Sequence, residues 1–286
     1  AGPSDTFWSM ETSRIRIGLL GCGHVGAALV SLVAERRGEV ERRTGLDLEV
    51  TRIAVRNTAL DRDVPVDSAA FTTDAAALVV DPEVDVVVEV MGGIEPARGL
   101  VSAALAAGKP VVTANKELLA NHGAELYSIA EAAGVDLLFE AAVAGAIPIM
   151  RPLRESFAGE PITRVMGIIN GTTNYMLTRM SRDGMDFDDA LKEAQDLGFA
   201  EADPTNDVEG IDAGYKLAVL SSLAFHTRVR AEDVYREGIS GLRARDFKYA
   251  QELGYSIKLL AIARREGQQV QARVHPCFVP QDHMLA

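Results

Sequence analysis

The residues between 201 and 216 combine several acidic side chains with one lysine, a set that could bind an ammonium group or transfer a proton. The acidic residues are Glu201, Asp203, Asp207, Glu209 and Asp212. Lys216 follows Asp212 by four positions, so on a helix the two side chains would share one face. A lysine oriented in this way can accept a proton from an alcohol or return one to an alkoxide. An isolated pair at this spacing is also common as a solvated ion pair.

Two other interpretations of these carboxylates stay open. Grouped acids resemble the ligand set of a divalent metal, although no histidine belongs to the group, and the five histidines of the chain are scattered. For Asp203 and Glu209, helix capping or loop solvation is the simpler interpretation. The remaining carboxylates suit a zwitterionic amino acid, because its α-ammonium group seeks anionic oxygens.

A second chemical signal is the hexapeptide GCGHVG at residues 21–26, a GxGxxG pattern between a predicted strand and a predicted helix. Gly21 would permit the tight turn, Gly23 the approach of backbone to a pyrophosphate, and Gly26 close packing of helix on strand. The N-terminus of the helix would offer N–H groups to the phosphates. The predicted dinucleotide site comprises Gly21, Gly23, His24, Val25 and Gly26.

Cofactor preference depends on the end of the second predicted strand. NAD-binding proteins usually carry an acid there, and NADP-binding proteins carry arginine for the additional phosphate. The run IAVRN has Arg56 and no acid. This favours NADP(H), with NAD(H) and a purely solvated Arg56 left as alternatives.

The elements that must position these groups follow two patterns. Up to about residue 146, short apolar runs alternate with Ala-rich segments. This predicts strands at 14–21, 48–57, 85–91, 110–113 and 135–141, with helices at 24–38, 97–109 and 116–134. Such alternation is typical of an α/β fold, here a Rossmann-type, doubly wound parallel sheet. Residues 14–146 are the predicted dinucleotide-binding domain, and residues 1–13 a disordered tail.

The second pattern, over residues 147–286, predicts an α+β domain. Strand-like residues 162–170 precede a helix at 171–184 that begins with a pair of threonines. Further helices are predicted at 186–198 and 210–225, and residues 256–279 alternate like two strands joined through REGQQ.

Composition limits the classes of partner. A formal charge of −12 argues against nucleic acid, and no apolar run is long enough to span a membrane. The two cysteines, Cys22 and Cys277, cannot form a disulfide framework, which favours a reduced, cytoplasmic protein.

Several segments occur together, in order, in one enzyme family. They are GLLGCGHVG, EVMGGIEPA, VVTANKELLA, FEAAVAGAIPIMR, NGTTNYMLTRM and GFAEADPTNDVEGIDAGYKLA. From about Ile15 to Phe225 the chain closely resembles homoserine dehydrogenase, which interconverts L-homoserine and L-aspartate 4-semialdehyde by hydride transfer with a nicotinamide cofactor. The resemblance implies a homodimer formed through the sheet of the second domain.

The resemblance also implies a role for individual residues. Lys216 and Asp212 would be the catalytic pair, with Lys116 as a second ammonium near the reacting oxygen. The residues implied for the substrate are Glu201, Asp207 and Thr172. Those implied around the nicotinamide are Gly92, Gly93, Thr113 and Asn115. Backbone carbonyls of a loop would hold a structural monovalent cation, Na⁺ or K⁺, at Glu140, Val143 and Gly145.

The chain departs from the family pattern at its C-terminal end. The Gly-rich segment that returns to the nucleotide domain and the threonine-sensing domain of many members are expected to be lacking. Two other functions stay open: another two-domain NAD(P) oxidoreductase, and a silent module that senses NADP(H) or mediates assembly. The former would not be expected to carry the NGTTNY and EADPTNDVEGIDAGYK motifs together, and the latter has no need of Lys116, Asp212 and Lys216.

Overall fold

The computed structural model describes residues 12–286 and divides the chain into two compact units. The first unit runs to Leu118 and includes Ala124–Phe139, and the second contains Leu119–Gly123 and Glu140–Ala286. The predicted domain boundary at residue 146 stays a prediction. The predicted tail, residues 1–13, lies outside the described residues except for its last two.

The first unit contains a six-stranded parallel sheet. Its strands are β1 (Ser13–Leu20), β2 (Leu46–Ala54), β3 (Phe71–Thr72), β4 (Val86–Glu89), β5 (Val111–Thr113) and β6 (Leu137–Leu138). The strand order is β3-β2-β1-β4-β5-β6, and every neighbouring pair is parallel. This is the Rossmann order, in which the strand sequence reverses next to β1. The predicted fold class of this unit is confirmed.

Four helices connect these strands: α1 (His24–Thr44), α2 (Ala75–Val80), α3 (Ala97–Ala106) and α4 (Lys116–Ala133). The predicted end of the first helix at Gly38 is wrong, because α1 continues to Thr44 and is capped by Gly45 with φ of 72°. The short strand β3 and helix α2 were not predicted from the sequence. A two-residue strand carries no alternation to detect, and β3 exists only because it pairs with Ile53 and Ala54.

The second unit contains a mixed sheet of order β7-β9-β10-β8. Its strands are β7 (Arg164–Gly167), β8 (Tyr235–Arg236), β9 (Tyr255–Glu266) and β10 (Gln269–Pro280). The long hairpin β9–β10 is antiparallel, as predicted, whereas the short β8 lies parallel to β10. The helices are α5 (Gly171–Asp183), α6 (Phe187–Asp196), α7 (Thr205–Val208), α8 (Ile211–Ala224) and α9 (Ala244–Glu252). A single π-helical turn, Pro152–Ser156, precedes β7. The α+β prediction is confirmed.

Helix α8 packs on both long strands and is the most deeply buried helix of the second unit. It is apolar on most sides, with Leu217 and Ala218 fully buried, so the polar groups in its first turns need partners. Within the described residues, no helix is both long and apolar enough to cross a membrane.

Candidate active site

The lysine of α8 is held at two points. Its Nζ donates to Oδ2 of Asp212 at 2.6 Å and to the carbonyl oxygen of Ile169 at 3.1 Å. The Lys216 side chain is 19% exposed and that of Asp212 is 8% exposed. The four-residue spacing therefore brings the two together as expected, and burial distinguishes them from a solvated surface pair.

A buried amide connects this pair to a second acid. Nδ2 of Asn170 donates to Oδ2 of Asp212 at 2.9 Å and to Oδ1 of Asp207 at 2.6 Å. Asn170 is also the N-cap of α5, because its Oδ1 accepts from the backbone N–H of Thr173. The sequence predicted that a pair of threonines begins this helix, whereas the residue that caps it is Asn170. Its side chain satisfies an N–H group of the first turn that has no partner within the helix.

The other predicted substrate residues lie on the segments before α8. Glu201 is exposed and its carboxylate has no hydrogen-bonding partner among the described residues. Thr172 donates its hydroxyl to the Phe199 carbonyl at 2.7 Å, which holds the backbone two residues before Glu201. Gln195 donates to the Glu201 carbonyl at 3.0 Å, so this turn is fixed from both sides.

Two other acids of the cluster have hydrogen-bonding partners, one local and one distant along the chain. Asp203 accepts from the N–H and hydroxyl of Thr205, and these bonds hold the pKa of its carboxyl below the usual value. Glu209 accepts from the Ser240 hydroxyl at 2.8 Å. The Asp203 bonds agree with the simpler interpretation of capping and loop structure, whereas the Glu209 bond joins two segments 31 positions apart. Among the described residues, no three His, Cys, Asp or Glu side chains converge as a metal site would require.

An apolar groove of about 400 Å³ lies in the second unit. Ile169 and Leu217, the chain neighbours of Asn170 and Lys216, contribute to its lining, together with Leu153. The groove therefore borders both the turn into α5 and helix α8.

In the first unit, the glycine-rich turn has the geometry that its spacing predicts. Gly21 has φ of 95°, a conformation that favours glycine. A Cβ on Gly26 would lie 2.3 Å from the Gly21 carbonyl oxygen, whereas a Cβ on Gly23 would meet nothing within 4 Å. Gly26 is thus required by packing inside the unit, and the side of Gly23 is open to a ligand. His24 and Val25 begin α1 and are exposed.

Two arginines, Arg56 and Arg62, lie in the segment after β2. Arg56 is exposed and its side chain has no hydrogen bond or ion pair among the described residues. Arg62 donates to the Cys22 carbonyl at 3.3 Å and to the carbonyls of Asn57 and Leu60, which ties the segment after Arg56 to the glycine-rich turn. Burial raises the pKa of the Cys22 thiol, and the Arg62 charge opposes this shift.

A fully buried carboxylate organises the turn after β4. Oε1 of Glu89 accepts from the N–H groups of Met91 and Gly92 at 2.8 and 3.2 Å, and Oε2 accepts from the Thr113 hydroxyl at 2.5 Å. Asn115 donates to the Gly93 carbonyl at 2.6 Å and caps α4. Both glycines have positive φ and space around them. Thr113 and Asn115, at 0% and 4% exposure, therefore support the turn, and direct contact with a nicotinamide stays a prediction.

The predicted second lysine, Lys116, is the first residue of α4 and belongs to the first unit. Lys216 belongs to the second unit, so the expected proximity of the two ammonium groups stays a prediction.

The loop predicted to hold a cation has an unusual backbone. Ala144 and Ala146 have φ of 53° and 66°, which is strained for residues with a Cβ. The Glu140 carboxylate accepts three N–H groups, from Ile149, Met150 and Arg151, at 2.6 to 2.9 Å. The carbonyls of Val143 and Gly145 accept no hydrogen bond among the described residues.

Sequence reasoning missed three residues that shape these sites: Glu89, Asn170 and Arg62. Glu89 and Asn170 had a detectable signal. An acid inside a run of valines is unusual, and an asparagine directly before a helix is a typical N-cap. Arg62 had none, because its bond to Cys22 joins residues forty positions apart.

The Rossmann strand order, with an open glycine-rich turn leading into α1, defines the first unit as a dinucleotide-binding unit. The family model described as homoserine dehydrogenase, NAD binding domain, matches residues 21–140, and the model described as homoserine dehydrogenase matches residues 148–286. The chain belongs to the homoserine dehydrogenase family.

Individual relatives agree. The chain is 54% identical over 279 residues to a homoserine dehydrogenase of Corynebacterium glutamicum, covering 96% of this chain and 62% of that protein. A solved homoserine dehydrogenase from Thiobacillus denitrificans has a TM-score of 0.89 and 49% identity over 95% of this chain and 63% of that one. A hyperthermophilic archaeal homoserine dehydrogenase in complex with NADPH has a TM-score of 0.77 and 29% identity over 96% and 84%. The chain spans about 62% of the length of its first curated relative.

Proposed function

We propose that this chain supplies the nucleotide-binding and substrate-binding units of a homoserine dehydrogenase of threonine and methionine biosynthesis. Family membership supports this, and the observation that carries it is the two-point anchoring of the Lys216 ammonium by Asp212 and Ile169. Because the relatives are longer than the chain, the activity is proposed for the full-length protein.

The anchoring determines how the lysine would move a proton. An ammonium group has three N–H donors, and two are used, so the third is left for a ligand oxygen. In the neutral amine the same two N–H groups stay bound, and the lone pair takes the third direction. Lys216 would therefore accept the homoserine hydroxyl proton in oxidation and donate one to the forming alkoxide in reduction. The nicotinamide, when bound, supplies or accepts the hydride.

Two acids of the segment before α8 suit the α-ammonium group of the substrate. Glu201 has a carboxylate without a partner among the described residues, and Asp207 has one oxygen bonded to Asn170. Both would bind the substrate ammonium by charge-assisted hydrogen bonds. Thr172 would contact substrate with the lone pairs of a hydroxyl that already holds the Phe199 turn.

The test of this function is oxidation of NADPH by the full-length protein with L-aspartate 4-semialdehyde, in parent and Lys216→Ala. We expect turnover in the parent and a loss of roughly 100-fold or more in the variant, the scale of general acid–base catalysis. Binding of NADPH without turnover would instead favour the silent module. A parent that oxidises other amino alcohols or sugars but not homoserine would favour another oxidoreductase.

NADP(H) is the proposed cofactor. The exposed Arg56 lies two residues after the end of β2, and Arg62 connects the segment after Arg56 to the glycine-rich turn. We expect Arg56→Ala to lower the preference for NADPH over NADH. Arg52→Ala is the matched control, since Arg52 is a half-exposed arginine on β2 itself, four positions before Arg56. An unchanged preference in Arg56→Ala would show that Arg56 does not bind the additional phosphate.

The proposed monovalent cation fits the loop of Glu140, Val143 and Gly145. The Glu140 carboxylate is occupied by N–H groups, whereas two carbonyls nearby accept nothing among the described residues. Carbonyl oxygens suit hard cations. We expect a higher Tm in KCl or NaCl than in choline chloride at equal ionic strength, and Tm values that do not differ would contradict the cation.

A homodimer through the second sheet is supported by its composition. Leu260, Ile262 and Val279 form a buried cluster, and the residues packed against it, none of them on a helix of the described chain, are Met166, Ile168, Cys277 and Leu285. Leu259 and Ala261, which alternate with the cluster, face the opposite side. We expect light scattering of the full-length protein to show a dimer. A monomeric parent would contradict the dimer.

We also propose that the protein is located in the cytoplasm.

A further inference from the structure

The Asn170 amide joins two carboxylates to which the proposed function gives different tasks. Its Nδ2 lies 2.6 Å from Asp207, expected to bind the substrate ammonium, and 2.9 Å from Asp212, which orients Lys216. Asn170 is 5% exposed. Resting on the proposed function, we infer that Asn170 is a positioning residue that holds the ammonium-binding carboxylate in register with the proton-transferring lysine.

The orientation of the amide is determined by its other end. Oδ1 accepts from the backbone N–H of Thr173 at 2.8 Å and from its hydroxyl at 2.7 Å. A flipped amide would place its NH₂ group against that N–H and its oxygen against two carboxylates. The nitrogen therefore faces the acids.

The Asn170 amide offsets the repulsion between the carboxylates of Asp207 and Asp212. Two carboxylates held close together repel each other, and burial strengthens the repulsion. One NH₂ group gives each of them a donor, so a single nitrogen atom bridges Asp207 and Asp212. The preceding residue, Ile169, accepts from Lys216 through its carbonyl, so the turn from β7 into α5 holds both acids and the lysine. Displacement of this turn would change substrate position and lysine position together.

Helix capping alone does not account for this geometry. The cap needs only Oδ1, and serine caps helices about as well as asparagine. Asn170→Ser keeps a cap and removes both N–H groups. Asn170→Asp keeps the acceptor for the cap and places a third carboxylate oxygen against the other two. If Asn170 only caps α5, both variants should behave like the parent.

The experiment measures both variants in the full-length protein with homoserine and NADP⁺. We expect kcat/KM for homoserine to fall roughly 10- to 100-fold in Asn170→Ser, the scale of a lost bond to a charged group, and further in Asn170→Asp. KM for NADP⁺ should stay at the parent value. Asp74→Ala, which removes the cap of α2, is the control for capping and should lower Tm without lowering kcat/KM.

A double-mutant cycle separates positioning from general damage. If Asn170 acts through Asp207, the effect of Asn170→Ser on homoserine KM should shrink in an Asp207→Ala background. Multiplicative effects would overturn the inference.

A crystal structure of Asn170→Ser supplies a readout that does not depend on turnover. We expect the carboxylates of Asp207 and Asp212 to move apart, and unchanged positions would overturn the inference. A parent without homoserine turnover would refute the proposed function, whereas the crystal structure would still decide the role of Asn170.

Discussion

The glycine-rich turn of the first unit and the lysine cluster of the second are built from different parts of the chain. The turn uses backbone: Gly21 has a conformation that favours glycine, Gly26 allows two segments to touch, and Gly23 leaves space. The cluster uses side chains from three segments, in which Asn170, Asp207, Asp212 and Lys216 meet through hydrogen bonds of 2.6 to 2.9 Å.

This difference affects how each site responds to substitution. A site formed by backbone loses its geometry when an added atom collides with the main chain. Conservative substitutions elsewhere leave it intact. A site formed by side chains depends on their charges and hydrogen-bond donors. An isosteric substitution that changes a single atom is therefore enough to disturb it. Substitutions in each unit separate these two kinds of dependence.

The largest effect is expected from Gly26→Ala in the first unit. Its Cβ would lie 2.3 Å from a backbone oxygen, which cannot yield without moving the turn. We expect a loss of about 3 kcal/mol in unfolding free energy, measured by denaturant titration, together with lost NADPH binding. Gly23→Ala is the matched variant: it should keep the stability, because nothing lies within 4 Å, and still weaken NADPH binding. Equal stability losses in both variants would contradict the distinction.

The substitution Asp212→Asn should have the next largest effect. It retains the shape of the side chain and removes the charge that holds Lys216, so we expect kcat to fall roughly 10- to 100-fold with NADPH affinity unchanged. Asp183→Asn serves as control, because Asp183 forms an exposed pair with Arg179 at the same four-residue spacing on α5. If both variants lose the same activity, the Asp212 pair has no special role.

Glu89→Gln tests the first unit where it does depend on a side chain. Glutamine can keep one oxygen for Met91 and Gly92, but its NH₂ group replaces the acceptor of the Thr113 hydroxyl. We expect a loss of about 1 to 2 kcal/mol in unfolding free energy and a higher KM for NADPH. Unchanged KM with lowered stability would restrict Glu89 to folding.

The smallest effect concerns Asp85, which follows the turn before β4. Hydrogen bonds from Arg16 lower the pKa of its carboxyl to about 2, below the ordinary 3.8. A pKa lowered by folding contributes stability above the unfolded pKa, and that contribution is lost as pH falls from about 4 to 2. Both side chains are about a third exposed, so we expect only about 1 kcal/mol between parent and Asp85→Asn at pH 6, vanishing near pH 2. A difference that persists at pH 2 would contradict this, and Asp282→Asn is the surface control.

Prediction from the sequence worked best where the signal is local. The strands β1, β2 and β4, the helices α4, α5 and α8, and the hairpin β9–β10 follow from periodicity and from turn residues. It failed where an element depends on a distant partner, as in β3 and β8, or where a helix passes through a glycine, as α1 does at Gly38.

For the candidate site, the four-residue interval between Asp212 and Lys216 was sufficient to place them together, because both lie on one helix. The hydrogen bond of Lys216 to Ile169 was not predictable, since it joins residues 47 positions apart. The same holds for Asn170 and its two acids, which lie 37 and 42 positions away along the chain.

The sequence by itself determined the class of fold, the dinucleotide turn and the family, because each of these depends on residues close together or on motifs in order. Tertiary structure alone decided which carboxylates have partners and which residue joins them. Asp203 bonds to Thr205 two positions away, Glu209 bonds to Ser240 31 positions away, Glu201 remains exposed, and Asp207 and Asp212 share one amide. A buried charge must find a donor, and which donor it finds depends on packing in three dimensions.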